Sequence, residues 1–186
     1  MTKAELPILK GERLTLRWPR PEDVEARRRL GNDPEIVRMY GGSCAGALMT
    51  AEEAGRWVRK LEDHDYAWVI DADGLIGSIR LDRVDLRDRR ASLAVGIEDK
   101  DRLGIGLGCE AIRLVLQYAF EVLNLHRVSV RAVAYNARAL RAYQKCGFVE
   151  EGREREAALV DGKWHDDVLM GVLAPEFVRH RDEKGR

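Results

Sequence analysis

Long apolar runs are missing from this chain: nowhere do the roughly 20 consecutive apolar residues of a membrane-spanning helix occur. The first residues, Met1-Thr2-Lys3-Ala4-Glu5, also lack the apolar centre of a secretory signal. Cysteine is scarce. Cys44, Cys109 and Cys146 are odd in number and widely spaced, and no Cys or His pair has zinc spacing, so neither a disulfide framework nor a metal site is expected. Cys109 and Cys146 read as small core residues, and Cys44, in a Gly-rich loop, as exposed. Net charge is absent too: 32 Lys plus Arg balance 32 Asp plus Glu, so no overall field draws the chain to nucleic acid or to an acidic membrane. What remains is a soluble, reduced, cytoplasmic protein. Its 186 residues suit one domain over 1–186, with about 175–186 as a tail.

Against these absences stands one dense feature, Leu103-Gly104-Ile105-Gly106-Leu107-Gly108, running into Cys109-Glu110-Ala111. Alternate glycines permit positive φ and close approach of a ligand, because no Cβ intervenes. From Leu107 a helix is predicted, with Ile112, Val115, Leu116, Ala119 and Val122 on its apolar face and Glu110, Arg113, Gln117 and Glu121 as a polar stripe. The unpaired N–H groups and positive dipole end of such a helix suit a phosphate. The glycine spacing differs from the dinucleotide fingerprint, and no Gly-Lys-Ser/Thr comes after it to make a P-loop. A tight structural connection fits the glycines equally well.

Earlier, Glu12 to Trp18 alternates as a strand, and Pro21-Glu22-Asp23 opens a helix over about 22–30. Asn32-Asp33-Pro34-Glu35 starts a short helix, and another covers about 50–62 with Trp57 and Leu61 on its apolar face. Arg27-Arg28-Arg29 reads either as a solvated helix face or as a binding patch beside a cleft. Tyr66 to Ile70 and Leu75 to Leu81 form a hairpin, followed by strands at 91–97 and 126–134 that flank the glycine loop. Asn136 caps a helix over 137–146 that Gly147 stops, and a last hairpin turns at Asp161-Gly162. The order is that of an α/β protein with a mixed sheet and helices on its faces.

The ordered residues Val95-Gly96-Ile97, the glycine loop, Tyr118-Ala119-Phe120, Leu123-Asn124-Leu125-His126-Arg127-Val128, Asn136, Tyr143-Gln144-Lys145-Cys146-Gly147-Phe148, Glu151-Gly152, Asp161-Gly162 and Asp166 resemble the GCN5-related N-acetyltransferase (GNAT) superfamily. The resemblance lies closest to its RimJ/RimL-type and spermidine-acetyltransferase branch. It implies a strongly bent mixed β-sheet with helices on both faces and with the fourth and fifth strands splayed apart. It also implies acetyl-CoA as cofactor, CoA as product, transfer of acetyl to a primary amine, and allows a homodimer.

By that resemblance Val95, Gly96 and Ile97 pair with the pantetheine arm. Arg102, Leu103, Gly104, Ile105, Gly106, Leu107 and Gly108 wrap the pyrophosphate, and Asn136 reaches the arm as well as capping its helix. Leu103 and Ile105 stand where the family usually has polar, aromatic or cationic side chains, so Arg102 is the candidate replacement. Tyr143, which on periodicity alone reads as a core aromatic, becomes the candidate general acid. Glu98 is the first candidate base, with Glu150 and Asp166 as others. The expected acceptor is a protein or peptide N-terminal α-amine; a small amine (polyamine, antibiotic or amino acid) is the alternative, and a non-catalytic acyl-CoA sensor is the reading from another class. The Arg27–Arg29 run argues against a polyamine.

Overall fold

In β3 (Ala67–Asp71) every residue from Ala67 to Ile70 is buried, and this explains why the strand reads as a continuous apolar run. Trp68 and Ile70 join the main core, whereas Ala67 and Val69 face Leu61 and Leu75 with Ala26, Leu30 and Trp57 behind them. A sheet covered on both faces has no polar side to alternate with. This computed structural model describes residues 6–43 and 48–177. Cys44 and the part of the expected tail beyond residue 177 lie outside them.

The sheet has eight strands in the order β1-β2-β3-β4-β5-β6-β8-β7. Its edge is β1 (Leu9–Lys10), which the sequence pattern does not reveal, paired with β2 (Thr15–Arg17). The strand expected over 12–18 is thus shorter, with Leu14 and Leu16 buried as its alternation requires. Helices α1 (Asp23–Leu30), α2 (Pro34–Met39) and α3 (Ala51–Glu62) come after it. Asp33 caps α2 by accepting from Glu35 and Ile36 N–H, and Thr50 with Glu53 forms a capping box on α3. Next come β3, β4 (Leu75–Asp85) and β5 (Arg90–Ile97), all antiparallel. The strand expected to end at Leu81 instead runs on to Asp85, through a bulge at which Arg83 takes φ 51°.

Helix α4 (Leu107–Gln117) carries the chain from β5 to β6 (Arg127–Val133), burying Leu107, Ala111, Ile112, Val115 and Leu116. It then widens into a π-turn at Tyr118–Val122, where Leu123 N–H reaches the Tyr118 carbonyl. The wider turn rotates its last residues out of the 3.6-residue register. Val122, expected on the apolar face, is consequently exposed. After α5 (Ala137–Lys145), β7 (Val149–Val160) and β8 (Lys163–Leu173) close the sheet. Within the span expected as a tail, Phe177 is buried, its ring 5.5 Å from that of Phe120.

One junction is unlike the rest. β5 and β6 run parallel and pair only at Arg90 with Arg127, Ala91 with Val128 and Ser92 with Ser129. From Leu93 onward they diverge, while β6 continues to pair with β8 as far as Val133 with Asp167. This is the splay that the family resemblance implied between the fourth and fifth strands, which the short edge strand β1 makes the fifth and sixth here.

Candidate active site

Divergence of β5 from β6 opens a cleft of about 1360 Å³ reaching from the glycine loop to the face of the sheet. Its inner wall is the main chain of β5. Glu98 N–H donates to the Ile76 carbonyl, so alternation turns Gly96 and Ala94 toward β4 and turns Leu93, Val95 and Ile97 toward the cleft. The Ile97 carbonyl already accepts from the Tyr40 hydroxyl at 3.1 Å. Val95 is therefore the expected contact residue whose N–H and C=O face the opening. Gly96 contributes space: a Cβ there would stand 3.1 Å from both the Tyr40 hydroxyl and a Glu98 oxygen.

The cleft's second wall is the start of α4. Arg102, Leu103, Gly104, Gly106 and Gly108 line it, and Gly106, at φ 92°, is the N-cap. Two residues expected in the phosphate loop point elsewhere. Leu107 is buried in the core, and Ile105 is exposed with its carbonyl accepting from Arg13 Nη1 at 2.8 Å. Arg13 also bonds Glu110 through Nε and its own N–H, so the loop is braced from behind by β2's flank. Nothing in the local pattern around Arg13 signals this contact, which spans more than ninety residues.

Asn136 is buried and lies at the cleft. Its Oδ1 accepts from Ala139 N–H at 3.0 Å, confirming the cap, and its Nδ2 donates to the Met39 carbonyl at 2.9 Å. The Tyr135 hydroxyl donates to the Arg38 carbonyl beside it, and Arg38 pairs with Asp161 at the tip of the last hairpin. Together these bonds hold residues 38–40 over the splay.

Tyr143, on α5, is buried with its ring 5.7 Å from Phe148, and it lines the cleft. Burial pushes its hydroxyl up to about 12, with Cys146 adding to the rise. Glu98 lies at the end of β5, its side chain 15% exposed. Burial raises its pKa and the nearby Arg27 guanidinium opposes the rise. Tyr40, unforeseen in the sequence, lines the cleft and is about half exposed, while its hydroxyl end is held far above the ordinary tyrosine range by burial, with Glu98 and Tyr143 adding. The other candidate bases are not brought here. Glu150 pairs with Arg153 on the exposed side of β7, and Asp166 accepts from Glu156 N–H in the hairpin.

The arginine run divides. Arg27 is buried and reaches Glu98, whereas Arg28 and Arg29 are exposed and pair with Glu25 on their own helix. Neither the solvated face nor the binding patch describes all three. Among the described residues no group of three or more His, Cys, Asp and Glu could hold a metal ion, and no helix is long and apolar enough to cross a membrane.

A splayed parallel pair, a glycine-lined helix start and a buried tyrosine on the helix after β6 converge on one family. The model of the acetyltransferase (GNAT) domain matches residues 13–149. The chain belongs to the GNAT family. This GNAT chain is 35% identical over 173 residues to the Bacillus subtilis (strain 168) protein named "Putative ribosomal N-acetyltransferase YdaF", covering 89% of this chain and 94% of that one. It is 30% identical over 108 residues to spermidine N(1)-acetyltransferase of Vibrio cholerae serotype O1, covering 58% of this chain. The match spans 62% of that relative's length, and 64% of another, the Bacillus subtilis N-acetyltransferase YjcK. Among solved structures, spermidine N-acetyltransferase from Vibrio cholerae in complex with CoA and spermine superposes with a TM-score of 0.74 at 26% identity, over 90% of this chain and 99% of that one.

The GNAT cofactor fits the residues present. Leu107, Gly108 and Cys109 begin α4, where N–H groups have no carbonyl one turn earlier to bond, and Gly104 and Gly108 leave the approach clear because a Cβ at either would meet nothing closer than 3.9 Å. Arg102 supplies a cation on the cleft side, beside the positions of Leu103 and Ile105 where none exists.

Proposed function

We propose that this GNAT domain transfers acetyl from acetyl-CoA to a single primary amine, with the N-terminal α-amine of a protein or peptide as acceptor. The observation that carries the choice of acceptor is the pairing of the cleft's carboxylates. Glu98 has Arg27 at 3.3 Å, Asp167 and Glu154 share Arg131 at 3.4 and 3.8 Å, Glu151 has Arg127, and Asp82 has Arg80 at 2.9 Å. A polycation requires unpaired acidic groups along its length, and here each acid already faces an arginine. One ammonium needs only one carboxylate and a proton path.

When bound, acetyl-CoA supplies an acetyl group activated as a thioester. Arg102, the N–H groups opening α4 and the main chain of Val95 are the groups that would hold it. Glu98, whose pKa burial raises while Arg27 opposes the rise, takes the proton of the acceptor ammonium onto its carboxylate. Tyr143, whose hydroxyl stays protonated through the neutral range, would give a proton to the sulfur as the N–C bond forms and the C–S bond breaks, and would regain one from the second N–H of the acylated nitrogen. Ile36, Met39, Tyr40 and Trp57 line the cleft as an apolar flank beside the reacting groups.

The test is thiol release from acetyl-CoA against a panel of N-terminal peptides, spermidine, aminoglycosides and free amino acids. Peptide-dependent release is the expected result. Preference for spermidine would overturn the acceptor assignment. Acetyl-CoA that raises the melting temperature without any amine-dependent release would favour the sensor instead.

A further inference from the structure

We infer that Arg27, on α1, is the positioning residue for Glu98: it fixes the carboxylate at the end of β5 inside the cleft wall and supplies its counter-charge. This inference rests on the reading of Glu98 as the proton acceptor. Arg27 is 4% exposed and does not itself line the cleft. Its Nη1 donates to the Gly31 carbonyl, and its Nη2 donates to Asn32 Oδ1 at 3.2 Å and to Glu98 Oε2 at 3.3 Å. The guanidinium carbon lies 5.5 Å from the centroid of the Trp57 ring. Its Nε is buried without a hydrogen-bond partner among the described residues.

A cation so enclosed, with one donor unused, costs folding energy that its contacts to Gly31 and Asn32 do not require, since a neutral donor would serve both. The contact that needs a full charge is the one to Glu98. The groups facing Glu98 are Arg27 from α1 and Tyr40 from α2, with Tyr143 and Arg138 of α5 acting on Tyr40. The tyrosines are neutral at pH 7, so Arg27 is the cation in contact with the carboxylate.

The experiment measures the Glu98 side-chain carboxyl titration by carbon NMR in the free enzyme, together with the acid limb of kcat/KM for a peptide acceptor, in wild type, Arg27→Met, Arg27→Lys and Glu98→Gln. Arg27→Met is expected to move both midpoints upward by about one pH unit or more, as loss of an adjacent opposite charge does. Arg27→Lys should restore most of the shift. An unmoved NMR midpoint in Arg27→Met overturns the inference. An acid limb unchanged in Glu98→Gln overturns instead the assignment of Glu98 as base, whatever the NMR shows. If Arg27→Met does not fold, Arg27→Gln removes the same charge while keeping an amide donor for the Gly31 carbonyl and Asn32 Oδ1, and must move the Glu98 midpoint in the same direction; no movement there also overturns the inference.

Discussion

The Tyr40 hydroxyl donates to the Ile97 carbonyl at 3.1 Å, joining the end of α2 to the end of β5 across the mouth of the splay. Where β6 has turned away, that carbonyl would otherwise face the cleft without a strand partner. Tyr40→Phe keeps the ring and removes only this bond. The expected cost is about 1 kcal/mol in denaturant unfolding, the usual net worth of one hydrogen bond. A loss near zero would mean that water serves the carbonyl equally well.

Tyr143→Phe is expected to lower kcat by about 100-fold or more while leaving the affinity for CoA within about two-fold. The sign of the pH dependence comes from burial. A hydroxyl raised to about 12 stays protonated below that pH, so wild-type kcat should show no alkaline limb from this group between about pH 7 and 10. A limb near the ordinary tyrosine value would contradict the assignment. Steady-state kinetics across pH, with CoA binding by calorimetry, checks both parts.

Gly106→Ala separates the loop's shape from its chemistry. At φ 92° a Cβ is strained, and it would also stand 3.2 Å from Arg13 Nη2. Gly104 has φ 78° with nothing within 4 Å of a Cβ. Gly104→Ala should therefore cost only the backbone strain, about 1–2 kcal/mol, whereas Gly106→Ala should cost more and weaken CoA binding by displacing Arg13 from the Ile105 carbonyl. Melting temperatures and CoA titrations of the two variants give the comparison.

What the sequence made legible were features written in local spacing. The Asn136 cap, the Asp161-Gly162 turn with both residues at positive φ, and the start of α4 at Leu107 each depend on neighbours a few positions away. The site's other half depends on contacts that no local period encodes. Tyr40 meets Ile97 across 57 residues, Arg27 meets Glu98 across 71, and Arg13 meets Ile105 across 92. Arg27 shows the reason most clearly. Within an Arg-Arg-Arg run on a short helix its neighbours are exposed, and only the turn of α1 against the sheet selects it for burial.

The same argument applies to Arg17, which alternation places on the polar side of its strand but which is 7% exposed. It bonds both oxygens of Asp23 at 2.8 Å and also reaches Asp71, so β2, α1 and β3 meet at one guanidinium. Asp23 takes two of the guanidinium's bonds and also accepts from Arg20 N–H, so Asp23→Ala, which leaves those donors without an acceptor and only Asp71 beside the cation, is expected to cost about 3 kcal/mol. Asp71 tests the pH dependence. Burial raises its pKa, but the Arg17 bond, the Gly74 N–H and the charge of Arg17 outweigh that, and the net direction is downward. A depressed carboxyl contributes stability that is present above the unfolded Asp value and lost as pH falls through the folded one. Asp71→Asn should therefore destabilise the protein at neutral pH and narrow its difference from wild type as the pH drops below about 4. Denaturant melts at about pH 7 and about pH 3 measure both, and a difference that stays constant between them would remove Asp71 from the ion cluster's energetics.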